Sequence, residues 1–281
     1  MPRAIDVHVH PPYQHPEATA AIWDATDRYF RAPVAKAVEE MAQRYEELDL
    51  FGVLFSVNME TARGDPGVSN DEIAAIVRRY PKRFIGFAGV DPWQGKKAVW
   101  EVERAVKELG LRGVKFQPAM QEFYPNERRF YPIYEKCAEL GVPVIIHVGT
   151  TGFGAGLPGG GGIHLKYTRP IPYVDDVAAD FPELTIIMAH PAWPWLEEEL
   201  AVCLHKANCY IDLSGWSPRY FQPALIQYAN TLLQDKVVFG TDYPYIDPER
   251  WLRDFAEAPF GDAVRPKILL ENAKRVLRLE L

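Results

Sequence analysis

Near its start the chain reads Ala4-Ile5-Asp6-Val7-His8-Val9-His10-Pro11-Pro12, a short β-branched run that ends in two imidazoles and two prolines. An open nucleotide-binding sheet wants a glycine-rich phosphate loop after its first strand, and histidine and proline stand there instead. Working outward, further apolar, β-branched runs fall at 52–57, 84–90, 113–117, 143–148, 185–189, 208–213 and 236–240, which with 4–9 makes eight expected strands. Between them, 34–48, 70–80, 96–109, 130–140, 173–181, 195–205 and 223–233 carry apolar residues at three- and four-residue spacing, as amphipathic helices do. Strand–helix alternation implies parallel strands joined by crossover helices. Eight such units spread over 281 residues predict a single closed (β/α)8 TIM barrel, one α/β domain over 1–281.

Composition agrees and excludes several classes. Hydrophobic residues make up 48% of the chain and charged residues 25%, enough for one large core. With 31 Lys and Arg against 38 Asp and Glu, the formal charge of −7 argues against a nucleic-acid partner. Cys137, Cys203 and Cys209 are odd in number and lack CxxC spacing, so a disulfide framework is not expected and a reducing cytoplasm is. The first residues turn polar too soon for a signal peptide, and no apolar run approaches the roughly 18 residues of a membrane span.

Residues two apart on a strand share a face, so His8 and His10 point the same way, in a barrel toward the mouth where active sites are built. Other strand ends repeat the pattern: Val144-Ile-Ile-His147, Ile186-Ile-Met-Ala-His190-Pro and Val238-Phe-Gly-Thr-Asp242-Tyr-Pro. Any one of these residues reads equally well as a hydrogen-bonded core group. Together, four imidazoles and one carboxylate converge on one rim, a donor set that suits one divalent ion, Zn²⁺ foremost, with Mn²⁺, Fe²⁺ or Co²⁺ tolerated. His15 and His205 read as surface or capping residues, and His164 sits in a long glycine-rich loop, 150–172, expected to overhang the site.

His8-x-His10, Ile146-His147, Ala189-His190-Pro and Gly240-Thr-Asp242-Tyr-Pro, in this order and at these strand ends, resemble the amidohydrolase superfamily over essentially the whole chain. The nearer likeness is to its amidohydrolase-2 branch, the relatives of aminocarboxymuconate-semialdehyde decarboxylase. The resemblance implies one metal held by His8, His10, His147 and Asp242, with His190 touching the attacking water or the substrate. Binuclear members carry a carboxylated lysine where Lys115 stands, but this branch is usually mononuclear, which leaves Lys115 a substrate-contact or structural role. Gln117 replaces a histidine frequent in the branch.

Such a site can activate water or cleave a C–C bond beside a carbonyl. Asp242 is the expected proton shuttle, and His190 the group that orients the water or stabilises an oxyanion. Hydrolysis of an ester, thioester, lactone or β-keto bond ranks first, with non-oxidative decarboxylation of an aromatic or muconate-type acid second, and an inactive metal-binding scaffold as an alternative from another class. Arg28, Arg31, Arg44 and Arg63 are candidates to grip a substrate carboxylate. The stretches 151–169 and 210–218 look similar to the 4-hydroxyphenyl-β-ketoacyl-CoA hydrolases, which implies an anionic, aromatic small-molecule substrate. Its expected contacts are His164, Lys166 and Arg169, with Trp193, Trp195, Trp216 and Tyr243 as an aromatic wall and Lys115 below. Barrels of this type often pair, so a homodimer is expected; Trp100 and Trp251 read as interface or core.

Overall fold

Parallel strands bury both faces, and every strand here is short and almost wholly buried. The computed structural model describes residues 1–31 and 37–281. Its strands are β1 (Ala4–Val9), β2 (Leu50–Leu54), β3 (Phe84–Gly86), β4 (Ala88–Gly89), β5 (Val114–Phe116), β6 (Val144–His147), β7 (Ile186–Ala189), β8 (Cys209–Asp212) and β9 (Val237–Val238). They run parallel as β1-β2-β3 and β4-β5-β6-β7-β8-β9. The expected strand 84–90 is therefore split at Phe87, where the chain changes partners. Phe87 N–H donates to Leu54 O on one side, and Ala88 N–H to Gly113 O on the other, each at 2.8 Å. The two pieces act as one barrel strand.

The barrel closes between the first and last strands. Val7 N–H donates to Phe239 O (3.0 Å), Asp242 N–H to His8 O (3.0 Å) and His10 N–H to Tyr243 O (2.8 Å), with a parallel bridge between Val9 and Tyr243. The fold is thus the closed (β/α)8 barrel read from the sequence.

A feature the alternation pattern hid sits in β1. Its register with β2 slips between Asp6 and Val9. Ile5 and Val7 belong to the cluster inside the barrel, with Phe51, Val53 and Phe55, whereas Ala4 and Val9 belong to the layer between strands and helices. Strict alternation would have kept Val9 inside with Ile5 and Val7. The irregularity reverses the faces, so His8 meets the interior Phe55 ring at 4.8 Å.

The outer helices follow the expected spacing, at Val38–Glu47, Asn70–Arg79, Lys96–Lys107, Tyr131–Glu139, Tyr173–Asp180, Leu196–His205 and Pro223–Asn230. The expected start of the first of these, at 34–36, lies outside the described residues. Ser69 and Glu72 form a reciprocal capping box at Asn70–Arg79. The helices that went unread in the sequence are the short Glu60–Arg63, Pro118–Gln121 and Asn272–Val276 and, longer, Glu17–Phe30 in the first loop and Pro248–Glu257 after the last strand. On the latter, Trp251 is fully buried, 4.5 Å from Phe239 and stacked at 5.0 Å on Phe255, which assigns it to the core. Trp251→Ala should cost about 3–5 kcal/mol through lost burial and the cavity left behind, readable as a lower denaturant midpoint. Trp100 is 65% exposed. The three cysteines are buried and unpaired, and among the described residues no helix is long and apolar enough to cross a membrane.

Candidate active site

The barrel mouth collects the five residues singled out at the strand ends. His147 ends β6, while His190 and Asp242 follow β7 and β9 in left-handed backbone, with φ of 77° and 67°. Non-glycine residues rarely hold that conformation, and where they do it is held by surrounding contacts, often at functional sites. Here those contacts are visible: His190 N–H donates to Asp212 O (3.0 Å) and Asp242 N–H to His8 O (3.0 Å).

The side chains converge. Asp242 Oδ1 lies 3.1 Å from His10 Nε2 and 3.3 Å from His8 Nε2. His8, His190 and Asp242 each offer a ligand atom, all within 4.8 Å of one another. The His147 ring centre is 4.6 Å from that of His190; its Nε2–H donates to Thr150 O (3.1 Å), which leaves Nδ1 as the free lone pair. A divalent ion with bonds of about 2.1 Å places neighbouring ligand atoms about 3–3.5 Å apart, the spacing that Asp242 Oδ1 already shows to His8 Nε2 and to His10 Nε2.

The electrostatics suit a cation. Burial holds His8 and His147 well below the ordinary histidine value, and pushes His190 down to about 4 against the field of Asp242. These imidazoles are neutral and keep a lone pair to donate. Burial opposes ionisation of Asp242, yet the His10 hydrogen bond and the fields of His190, His10 and Lys115 leave its carboxyl below the usual value. Lys115 is buried with Nζ 3.5 Å from His8 Nε2 and 4.9 Å from the centre of the Phe55 ring. Burial pulls its ammonium down to about 8, while Asp212 and Asp242 hold it up.

Two residues that sequence reasoning passed over support this group. Asp212 and Ser214 are fully buried, with Asp212 Oδ2 2.6 Å from His8 Nδ1. A carboxylate on the far nitrogen of a liganding histidine fixes the ring and raises its basicity. Both lie in the 210–218 stretch, quoted for its aromatic residues, where a buried Asp at a strand end was the available signal. Glycine keeps the space open: a Cβ on Gly240 would sit 2.1 Å from Asp212 Oδ1. Gly240→Ala should therefore displace Asp212 and weaken metal affinity about 10–100-fold, as measured by competition with a chelating dye.

Above this floor opens a cavity of about 600 Å³, walled by Trp23, Phe30, Phe55, Phe153, Trp216 and Tyr245. The structure sorts the expected substrate contacts. Lys115 and Trp216 line the cavity; Tyr243 does not, being buried edge-on to Tyr45 at 5.7 Å. His164, Lys166 and Arg169 also lie outside it, because only the start of the glycine-rich loop, 150–153, reaches the cavity. Lys166 packs over Tyr167 (5.0 Å), Arg169 Nε donates to Glu198 Oε1 (2.9 Å), and all three side chains face solvent. Trp193 is 49% exposed and Trp195 half-buried, neither on the cavity wall.

His15, read as a bland surface residue, lines the cavity, stacked on Trp23 at 4.1 Å. Gln117 lines it too, its Oε1 accepting from Ala119 and Met120 N–H. Of the candidate arginines, Arg44 pairs with Asp247 and Glu249, Arg63 pairs with Glu122, and Arg28 and Arg31 are exposed. Among the described residues Arg250 is the arginine on the cavity wall.

A closed parallel barrel with histidines and an aspartate gathered at its mouth defines a metal-dependent barrel enzyme class. A family model described as amidohydrolase matches residues 5–279, and the chain belongs to that family. It is 35% identical over 240 residues to 2-amino-3-carboxymuconate-6-semialdehyde decarboxylase of Dictyostelium discoideum, a match over 75% of this chain and 66% of that relative's own length. It is 24% identical over 307 residues to gamma-resorcylate decarboxylase of a Polaromonas species, covering 94% of this chain and 90% of the relative. A dihydroxybenzoic acid decarboxylase from Polaromonas, solved with bound manganese and the inhibitor 2-nitroresorcinol, superimposes with a TM-score of 0.69 at 20% identity over 99% of this chain and 98% of its own. That likeness shows the fold.

These relatives correct the expected reaction. Hydrolysis was ranked above decarboxylation, with an acyl-CoA thioester in view, but the two relatives named above are decarboxylases. The structure supplies a physical reason against the thioester: Lys166 and Arg169, the cations meant for the anionic group, lie outside the cavity.

Proposed function

We propose that residues 1–281 form one catalytic domain that removes CO₂, without a redox step, from a small aromatic or muconate-type carboxylic acid. The observation that carries this reading is the likeness to two decarboxylases, one of them matched over 94% of this chain, on a barrel whose mouth is lined by His8, His10, His147, His190 and Asp242, with His8, His190 and Asp242 offering ligand atoms within 4.8 Å of one another. We assign His8, His10, His147 and Asp242 as ligands of one divalent ion. Their nitrogen-rich set favours zinc; manganese, present in the Polaromonas structure, is the ion that metal analysis would put in its place. When bound, the ion supplies a Lewis acid that grips the oxygens of an acid substrate.

The rest follows from the chain's own groups. Trp216, Phe55 and Phe153 suit the faces of a flat ring, and Lys115 adds a buried positive charge that favours an anion. Asp242 relays the proton: ionised at rest, it takes one up from solvent as substrate binds and passes it to the carbon bearing the carboxylate, the C–C bond breaks, its electron pair stays with the ring, and CO₂ leaves. His190, beside it, touches the substrate. The three unpaired, buried cysteines support a reducing cytoplasm as the working compartment.

The test offers gamma-resorcylate and a panel of hydroxylated benzoic acids to protein reconstituted with zinc or manganese, following CO₂ and the decarboxylated phenol. Release of both in equal amounts is the expected result. Hydrolysis of phenyl esters or lactones with no CO₂ from any carboxylate would overturn it.

A further inference from the structure

Gln117 follows β5 and carries an acceptor and two donor hydrogens, whose uses the structure separates. Its Oε1 accepts from Ala119 N–H at 2.9 Å and from Met120 N–H at 3.2 Å, which caps the short helix Pro118–Gln121. Those two donors fix the side-chain amide, because the reversed amide would point N–H groups at N–H groups. Nε2 therefore lies on the other side, where it donates to Thr151 Oγ1 at 3.2 Å. That bond uses one of its two hydrogens, and among the described residues the second meets no acceptor. Gln117 is 4% exposed and lines the cavity.

Thr151, at the start of the glycine-rich loop, stands in a matching position. Its Oγ1 accepts from Gln117 Nε2–H and from Phe153 N–H at 3.1 Å, so both lone pairs are taken. The hydroxyl hydrogen is turned away from both partners, and among the described residues it too meets no acceptor. Thr151 also lines the cavity. Neither an amide nor an aliphatic hydroxyl titrates near neutral pH, so this count of hydrogens holds whatever the charge on the groups around it. Capping the helix needs only the oxygen of Gln117, and the amide nitrogen is left for another task.

We propose that Gln117 and Thr151 form a two-donor subsite for one acceptor oxygen of the substrate, a carboxylate or phenolate oxygen of an aromatic acid. The two donor atoms are 3.2 Å apart, and an oxygen about 2.9 Å from each completes both hydrogen bonds. The pair determines specificity because a substituent that can only donate finds no partner there. This deepens the reading above and rests on it for an aromatic acid as the occupant of the cavity.

The test measures binding by calorimetry on full-length, zinc-loaded protein. Benzoate and resorcinol are the probes, since each offers one of the two kinds of oxygen. Thr151→Val removes the hydroxyl at nearly constant volume. Gln117→Glu keeps the helix cap, because a carboxylate still accepts from Ala119 and Met120, and it removes both amide hydrogens. Each substitution should weaken the probe seated in the subsite about tenfold or more, the effect of losing a hydrogen bond to a charged group. Weakening of benzoate places the carboxylate there, and weakening of resorcinol places a ring oxygen there. Thr151→Ser, which keeps a hydroxyl, should recover most of what valine loses. The proposal is overturned if either substitution leaves both probes as tightly bound as before, if serine binds as poorly as valine, or if the unmutated protein binds neither probe. The decarboxylase reading fails separately: binding that follows these expectations without CO₂ release removes the reaction alone, and CO₂ release with binding indifferent to both substitutions removes the subsite alone.

Discussion

Asp242→Asn is expected to reduce CO₂ release by about 10³-fold, within the range supplied by a positioned proton carrier. Asparagine is the replacement that isolates the proton. Asp242 sits at φ 67°, and asparagine is among the few non-glycine residues that accept left-handed backbone. The backbone bond from residue 242 to His8 O survives, and the amide occupies the same volume. What disappears is a group able to hold and release a proton 3.1 Å from His10 Nε2. Rate and metal content are measured on the same sample, because an amide oxygen is the weaker ligand and occupancy has to be restored by excess metal. Retention of more than about a tenth of the rate at full occupancy would end the assignment of Asp242 as proton carrier, since general acid catalysis is worth at least about 10²-fold.

His10→Ala should abolish metal retention, weakening affinity by at least about 100-fold, because a lost ligand costs no less than the loss of a group that supports one. Of the proposed ligands it is the cleanest to remove. Its side chain is 27% exposed and hydrogen-bonds to Asp242, whereas His8 is anchored by Asp212 and Ser214 inside the barrel. Truncation at 10 thus leaves the packed interior almost untouched, and the thermal midpoint of the metal-free protein should move little. The check is elemental analysis after desalting. One ion per chain in the variant would discard the ligand set.

How far the sequence revealed this molecule depends on whether each feature is local. Strand positions are local: a β-branched run ending in His or Asp can be read residue by residue, and the barrel follows from eight of them. The faces of β1 are not local. Alternation alone would have set Val9 inside with Ile5 and Val7, and the slip that turns His8 inward shows only against β2. The helix Glu17–Phe30 was missed because Pro16 precedes it and its aromatics resemble a loop lining. Ser214 was invisible as a site residue because one of its partners, His8, lies 206 positions away. His164, Lys166 and Arg169 were misplaced because loop length does not say which end of a loop approaches the site. The reaction was misranked for a chemical reason: one ion with histidine and aspartate ligands serves water attack and carboxylate loss alike.

The seam that closes the barrel has a consequence for how the protein is made. Its hydrogen bonds run from His8 and His10 to Asp242 and Tyr243, so the stitches that shut the cylinder are also the residues that hold the site. During synthesis the strand that carries His8 and His10 has no last strand to dock on, and no Asp242 opposite, until residue 243 has left the ribosome. Closure of the barrel and completion of the proposed ligand set are therefore one event, and a chain stalled before residue 242 has neither.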